Sequence, residues 1–237
     1  MFDETYFKTN TYEKVSFGRF SQYWWSNRFY AILARRYARR GGRMLEIGCG
    51  LGHLAGQLSG YFRAYAMDVN LWALEQARGT QAGVNFLHAG AERVPFEKES
   101  FDLVIIKHVV EHLEDPILAI REIGRLLAPG GVLILSTPNL DSLLKPYKGE
   151  RWIGYQDPTH ISLQPPAVWM DWIVQDAGLK IIKIFSDGFW DVPYLPVIPS
   201  ALQKLTFGVP GGVQAMTGVV FLPLRWGESI MVIARKL

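Results

Sequence analysis

Met44-Leu45-Glu46-Ile47-Gly48-Cys49-Gly50-Leu51-Gly52 is a short apolar run that ends in a turn with glycine at alternate positions. Without β-carbons, such a turn can take left-handed dihedrals and let a ligand approach the main chain closely. It suits the switch-point crevice of an open α/β sheet. Glycine spacing alone does not choose the ligand, because dinucleotide-binding proteins use a related G-x-G-x-x-G turn. Here the third glycine comes two residues after the second, and a carboxylate, Glu46, leads into the turn. That charge would repel a pyrophosphate and suits a cationic amino-acid portion, directly or through water. Asp68, 16 residues beyond Gly52, falls at the end of the next strand, where it can accept hydrogen bonds from both hydroxyls of a ribose. A dinucleotide turn and an acid-flanked loop without ligand are the competing readings.

Outward from this turn the chain alternates strand and helix. Trp25, Phe29, Ile32, Leu33 and Tyr37 share one side of a helix that Gly41-Gly42 stops. Strands are expected at 44–47, 64–69, 84–87, 101–107, 132–136, 179–185 and 229–234. Helices are expected from about His53, after an Asn70 cap, from Pro116 to Leu127, and from Pro165-Pro166 to Gly178. Strands separated by helices imply βαβ units with right-handed crossovers. The fold class is therefore α/β, a doubly wound, seven-stranded, mostly parallel sheet. About 25 residues after Thr137-Pro138-Asn139, rich in Pro, Gly, Tyr and Trp, read as a functional cover loop.

With 237 residues, 49% of them hydrophobic, the chain can bury one substantial core. The lone cysteine, Cys49, lies inside the glycine turn, so a disulfide framework is excluded and a reducing compartment fits. It reads as a packing residue. The N-terminus lacks a basic start followed by an apolar run, and a cytoplasmic location is expected. Residues 1–43 carry nine Lys/Arg against three Asp/Glu, and the excess gathers at Arg35, Arg36, Arg39, Arg40 and Arg43. This is either a solvated helix face or a patch for an anionic membrane surface or phosphorylated substrate. From Leu205 to Leu224 no residue is charged, but the prolines and glycines there argue for a buried or interfacial apolar lid rather than a membrane span.

The residues quoted carry a family resemblance. LEIGCGLGHLA resembles the first motif of class I methyltransferases that use S-adenosylmethionine, and YAMDVN the second. VPFEKESFDLVIIKHVVEHLEDP and LLAPGGVLILSTPN are similar to later blocks of the group containing ubiquinone-biosynthesis-type O-methyltransferases. The resemblance implies that Glu46, Gly48, Cys49, Gly50 and Gly52 surround the methionine portion, with Asp68 and Val69 at the ribose. It places Ala91 and Glu92 by the adenine, and Lys107 and His108 at the pocket after the fourth strand. One departure is visible: many relatives carry an acid where this chain has Gly90, so Glu92 or the backbone is expected to substitute. The implied organisation is a helical cover at 1–43 and a cofactor-binding domain at 44–237, with cover insertions at about 138–164 and 186–226.

A sulfonium methyl is already electrophilic, so transfer needs an in-line nucleophile and a dry pocket. A hydroxyl acceptor also benefits from a base. His160, in Asp157-Pro158-Thr159-His160, is the first candidate for that base, with a surface or capping role as its alternative. His108, Glu111 and His112, at i, i+3 and i+4, would share one face of a helical turn. With His160 they resemble the metal site of small-RNA 3′-end methyltransferases, although a glutamate stands there in place of His108. The expectation is nonetheless a hydrogen-bonded cluster with no metal. Absence of an Asn/Asp-Pro-Pro-Tyr sequence after the fourth strand points away from base N-methylation and from nucleic acid as partner. The aromatics Tyr6, Phe7, Tyr12, Phe17, Tyr23, Trp24 and Trp25, with Tyr147, Trp152, Tyr155 and the apolar 189–224 segment, suggest a bulky, partly apolar or glycosidic acceptor. The leading expectation is O-methylation of a small-molecule, lipid-linked or sugar hydroxyl. A non-catalytic cofactor-binding protein and an RNA 2′-O-methyltransferase are its rivals, and peripheral membrane contact is left open.

Overall fold

The computed structural model describes residues 18–237; Tyr6, Phe7, Tyr12 and Phe17 lie outside the described residues. Every expected strand forms: β1 (Arg43–Ile47), β2 (Arg63–Asp68), β3 (Val84–His88), β4 (Phe101–Lys107), β5 (Leu127–Pro138), β6 (Leu179–Ser186) and β7 (Ser229–Lys236). They make one sheet in the order β3-β2-β1-β4-β5-β7-β6. Only β7 runs antiparallel to its neighbours. The helices α1 (Gln22–Tyr37), α2 (His53–Leu58), α3 (Leu71–Thr80), α4 (Pro116–Leu126), α5 (Lys145–Lys148), α6 (Ile153–Gln156) and α7 (Pro166–Gln175) connect the strands. Before β7 come α8 (Ser200–Gln203) and α9 (Val209–Thr217), joined by a π-helical turn.

Alternation along the central strands feeds two cores, which is why these strands read as continuous apolar runs. Leu45, Ile47, Val104, Ile106, Leu133 and Leu135 meet Ile120, Ile123, Trp169 and Ile173 of α4 and α7. Met44, Leu103, Ile105, Val132 and Ile134 meet Phe29 and Leu33 of α1 and Leu54 and Leu58 of α2. Ser21 starts α1 by accepting the Trp24 N–H at its Oγ (3.1 Å), a cap worth about 1 kcal/mol. Asn70 caps α3 through the Ala73 N–H (3.0 Å), as its position before the apolar run implied.

Three local expectations are corrected. β5 starts at Leu127 rather than Val132, because the strand accommodates Pro129-Gly130-Gly131 by an irregularity: Leu127 pairs with Phe101 and Val132 with Leu103. The cover after β5 is not bare loop but carries α5 and α6. The apolar segment also contains a helix, with Pro210 in its first turn and Gly218 (φ 67°) closing it. Proline is tolerated at a helix start and glycine favoured just past its end, so neither prevented it. No helix among the described residues is long and apolar enough to cross a membrane.

Candidate active site

The strand order reverses between β1 and β4, where an open sheet offers its ligand crevice. Two turns meet there, Gly48–Gly52 after β1 and His108–His112 after β4. A Cβ built on Gly48, whose φ is 71°, would stand 2.2 Å from Val109 Cγ2. The first turn therefore packs bare backbone against the second.

The two carboxylates brace this turn at both ends. The Gly50 N–H donates to Asp68 Oδ2 (2.7 Å) and the Asn70 N–H to Asp68 Oδ1 (2.8 Å). The Ala55 N–H, in the first turn of α2, donates to Glu46 Oε2 (2.8 Å). Each carboxylate oxygen has a further lone pair for a ligand. Burial raises the Glu46 pKa to about 8, against the pull of Lys107 and the Ala55 hydrogen bond, while Asp68 adds to the rise. Burial also raises Asp68, against its backbone hydrogen bonds from Asn70, Gly50 and Val69. Two acids thus sit close enough to feel one another, in a site that gains by receiving a cation.

Lys107 ends β4 with its ammonium turned toward α1. Its Nζ donates to Ser26 Oγ (3.0 Å) and Asn27 Oδ1 (2.7 Å) and lies 4.8 Å from the Tyr30 ring centroid. Burial lowers its pKa, against the attraction of Glu46 and Asp187. Lys107 therefore ties α1 over the crevice. Tyr23 and Trp24 of α1 line a cavity of about 190 Å³ with His53 and Gln81, beside the glycine turn. Cys49 is buried with its thiol pKa raised by that burial and by Glu46 and Asp68, which suits packing rather than nucleophilic attack. Val69 is exposed and Ala91 buried. A Cβ on Gly90 would stand 3.3 Å from Glu92 Oε2 and 3.9 Å from Val69 Cγ1. Glu92 thus brings a carboxylate beside Gly90.

On the facing wall His108, Glu111, His112 and His160 come together. His108 takes a left-handed φ of 51°, a conformation that costs a non-glycine residue roughly 1–2 kcal/mol. Its Nδ1 lies 3.1 Å from Glu111 Oε1 and its Nε2 3.4 Å from Ser229 Oγ. Glu111 is fully buried. Burial would raise its pKa, but the His108 hydrogen bond and the neighbouring imidazoles leave it lowered. His112 Nδ1 lies 2.8 Å from Thr159 Oγ1, whose own hydroxyl donates to Asp157 Oδ1 (2.6 Å). The His160 Nδ1 lies 2.7 Å from the Gly154 carbonyl. A carbonyl only accepts, so Nδ1 carries the proton and the Nε2 of neutral His160 keeps its lone pair. The His112 and His160 ring centroids are 4.7 Å apart. Glu111, His112 and His160 each offer a donor atom within 4.8 Å of the others, so these three could also hold a metal ion.

Two acids on this wall escaped sequence reading. The Ser229 N–H (2.8 Å) and Trp190 Nε1 (2.6 Å) donate to Asp187, which faces His108 electrostatically and whose pKa burial raises. Glu228 accepts from Trp152 Nε1 and the Tyr194 hydroxyl. Burial raises its pKa to about 7. The available signal was position, since each acid abuts a strand end beside the crevice. Trp152, expected against an acceptor, is fully buried as a partner of Glu228, whereas Tyr147 and Tyr155 are exposed.

The sheet order and the two-acid glycine turn define a class I, Rossmann-like methyltransferase fold. The donors present fit S-adenosylmethionine: carboxylates at 46 and 68 suit an ammonium group and a ribose, and no Lys or Arg within Gly48–Gly52 is available for a pyrophosphate. The chain belongs to the family described as the methyltransferase domain, whose model matches residues 21–184. It is 34% identical over 135 residues to a malonyl-acyl-carrier-protein O-methyltransferase of Enterobacter lignolyticus, covering 55% of this chain and 51% of the other. It is 32% identical over 181 residues to a ubiquinone/menaquinone biosynthesis C-methyltransferase of Vibrio parahaemolyticus, covering 63% and 68%. The chain spans about half the length of the first curated relatives it matches. Among solved structures, a SAM-dependent methyltransferase from Archaeoglobus fulgidus superposes with a TM-score of 0.60 at 20% identity, covering 89% and 94%. A cyclase, SpnF, superposes at 0.59 and 19% identity, covering 88% and 80%. The fold therefore hosts more than one chemistry.

Proposed function

We propose that this chain transfers a methyl group from S-adenosylmethionine to a hydroxyl of a small-molecule, lipid-linked or sugar acceptor. The observation that carries this reading is the His160 imidazole, whose Nδ1 lies 2.7 Å from the Gly154 carbonyl and whose ring centroid lies 4.7 Å from that of His112. The bound cofactor supplies an electrophilic methyl on a sulfonium that leaves as a neutral thioether. Everything else falls to the chain. Glu46 and the Gly48–Gly52 backbone hold the amino-acid end, Asp68 and Val69 the ribose, and Ala91 and Glu92 the adenine edge. Lys107 pins α1 over the crevice and keeps water out. As the acceptor oxygen takes the methyl, His160 Nε2 receives its proton; His112 and Glu111 set the position and polarity of that base.

The test is transfer of labelled methyl from S-adenosylmethionine to fractionated lipid and sugar acceptors, with His160→Gln beside the parent. A base of this kind is worth about 10²–10⁴-fold in turnover. His160→Gln should lose that much with cofactor affinity unchanged, and unimpaired turnover would remove His160 from the role. A second reading is a cofactor-binding protein that transfers no methyl group, since one solved structure with this fold is named a cyclase. Cofactor binding without label transfer to any fraction would decide for it. The Glu111, His112 and His160 donors bear on a third, a metal-assisted RNA enzyme; strong salt dependence and loss of activity with chelator would identify that one.

A further inference from the structure

The insertion between β6 and β7 turns polar groups inward and aliphatic ones outward. Gln203 and Gln214 are fully buried, and each staples backbone. Gln203 Oε1 accepts the N–H groups of Tyr194 (2.7 Å) and Leu195 (3.0 Å), while its Nε2 donates to the carbonyls of Leu195 (2.7 Å) and Ile198 (2.6 Å). Gln214 Nε2 donates to the Ser186 carbonyl (2.7 Å), and its Oε1 accepts from Phe221 (3.0 Å) and Leu222 (3.1 Å). The opposite side carries Leu202, Leu205, Val209, Val213 and Met216, exposed by 50%, 64%, 46%, 45% and 58%. Their spacings of three, four, four and three residues follow a helical stripe. Single exposed aliphatics are ordinary on a protein surface, but a contiguous stripe held out by buried amides marks an interaction face.

Charge indicates what covers it. No Asp or Glu occurs from Val192 to Gly227, whereas Lys204 and Arg225 do. The C-terminal end of α9 abuts the basic end of α1: Arg36 Nη1 donates to the Gly218 carbonyl (2.7 Å), Arg39 is exposed close by in the chain, and Arg35 and Arg40, also exposed, lie over the Tyr61 ring at 5.6 and 5.5 Å, with Arg35 Nη2 donating to the Gln57 carbonyl (3.0 Å). Arg43 leaves this patch, its guanidinium lying over the Tyr65 and Phe101 rings at 5.0 and 5.1 Å. The same segment borders an apolar cavity of about 160 Å³, lined by Leu143, Leu144, Phe189, Phe207, Pro210 and Trp226 among others.

We propose that the 200–217 segment seats this protein on an anionic phospholipid surface, with the aliphatic stripe at the acyl boundary and the arginines at the end of α1 against the headgroups. Aliphatic residues beside cations, without acids, are what such a surface binds. A second copy would bring to this face a segment that likewise lacks acids, so it offers the cations no partner. The proposal stands apart from the methyl-transfer reading, which calorimetry with S-adenosylmethionine tests separately.

The full chain is sedimented with vesicles of phosphatidylcholine and phosphatidylglycerol in equal parts, and with phosphatidylcholine alone. Binding to the anionic vesicles that weakens with salt is expected. Leu205→Glu/Val213→Glu, whose sites are exposed, should melt and bind cofactor like the parent yet partition at least about tenfold less, since one buried aliphatic side chain is worth that much. Arg39→Gln/Arg40→Gln should lose several-fold and much of the salt dependence. A parent that stays in the supernatant with both vesicles overturns the proposal, as does undiminished binding by the Leu205/Val213 variant. So does light scattering that finds a parent dimer split by that variant, which would give the stripe to a second copy.

Discussion

Replacing Asp68 by alanine separates the two duties of one carboxylate. Its oxygens receive the Gly50 and Asn70 N–H groups at 2.7 and 2.8 Å, so the group holds the glycine turn to the end of β2 whether or not a ligand is present. Hydrogen bonds to a charged acceptor are worth about 1.5–3 kcal/mol each. Gly50 is half-buried, where water can replace part of that value, whereas Asn70 is buried, so a net loss of about 1–3 kcal/mol of stability is expected. For a domain of this size that lowers Tm by roughly 2–4 °C per kcal/mol. The ligand effect comes on top. A ribose diol donating to the remaining lone pairs would forfeit one or two further charged hydrogen bonds, and 1.4 kcal/mol is tenfold. Tenfold weaker cofactor binding is the floor and about 10²-fold the central expectation. Calorimetric titration with S-adenosylmethionine and thermal melting, run on parent, Asp68→Ala and Asp68→Glu, read the two quantities independently. A lowered Tm with an unchanged Kd would mean that the carboxylate only staples the turn, and the ribose assignment would be wrong.

Other perturbations probe the same wall-to-wall arrangement. Glu46 and Glu228 hold their protons more tightly folded than unfolded, with pKa values near 8 and 7. Their stabilising contribution is complete below the unfolded values and is lost as pH rises through those folded ones. The ligand-free protein should therefore melt lower at about pH 8 than at about pH 5.5, and cofactor affinity should rise over the same window as Glu46 gains charge; Glu46→Gln should flatten the affinity profile, and a flat parent profile would count against Glu46 as the ammonium partner. Gly48→Ala forces a Cβ to 2.2 Å from Val109 Cγ2 at a φ of 71°; cofactor binding should fall sharply, and Val109→Ala in the same chain should recover only part, because it relieves the contact and not the roughly 1–2 kcal/mol of dihedral strain. Exhaustive chelation should leave turnover unchanged, since His108 and Thr159 already engage Glu111 and His112; activity restored by a divalent ion would reassign the cluster.

The fold was legible because its signals are local and agree. Val104 to Ile106 and Leu133 to Leu135 are apolar without interruption because both sheet faces are covered, and glycine after β1 leaves few folds to choose from. Asp68 and Glu46 could be placed because strand ends next to the reversal of order converge in any such sheet. The rest depended on distance in sequence. Glu228 meets Trp152 76 residues away and His108 meets Ser229 121 residues away; no periodicity encodes such pairs. Lys107, implied as a pocket residue, turns its ammonium toward α1, where Ser26 and Asn27, the latter lining the cavity beside the glycine turn, satisfy a buried charge. Arg43 reads as part of a basic run, yet aromatic rings from β2 and β4 remove it from the surface.

The two walls of the crevice differ in kind, and that difference directs the chemistry. The cofactor wall is made by adjacent strands, so its carboxylates are fixed by backbone N–H groups of the same sheet edge. The facing wall is assembled from β4, the cover after β5, and the segment between β6 and β7, whose contributions are His108, His160 and Asp187. Under the proposed function, changes in either insertion would alter the acceptor while Glu46 and Asp68 remain in place. The same separation fits relatives that combine this sheet with different named reactions. It also explains why the insertion that roots at Asp187 is where an exposed aliphatic stripe can be added without disturbing the cofactor crevice: its anchors, Gln203 and Gln214, bind only backbone of their own segment and of Ser186 at the end of β6.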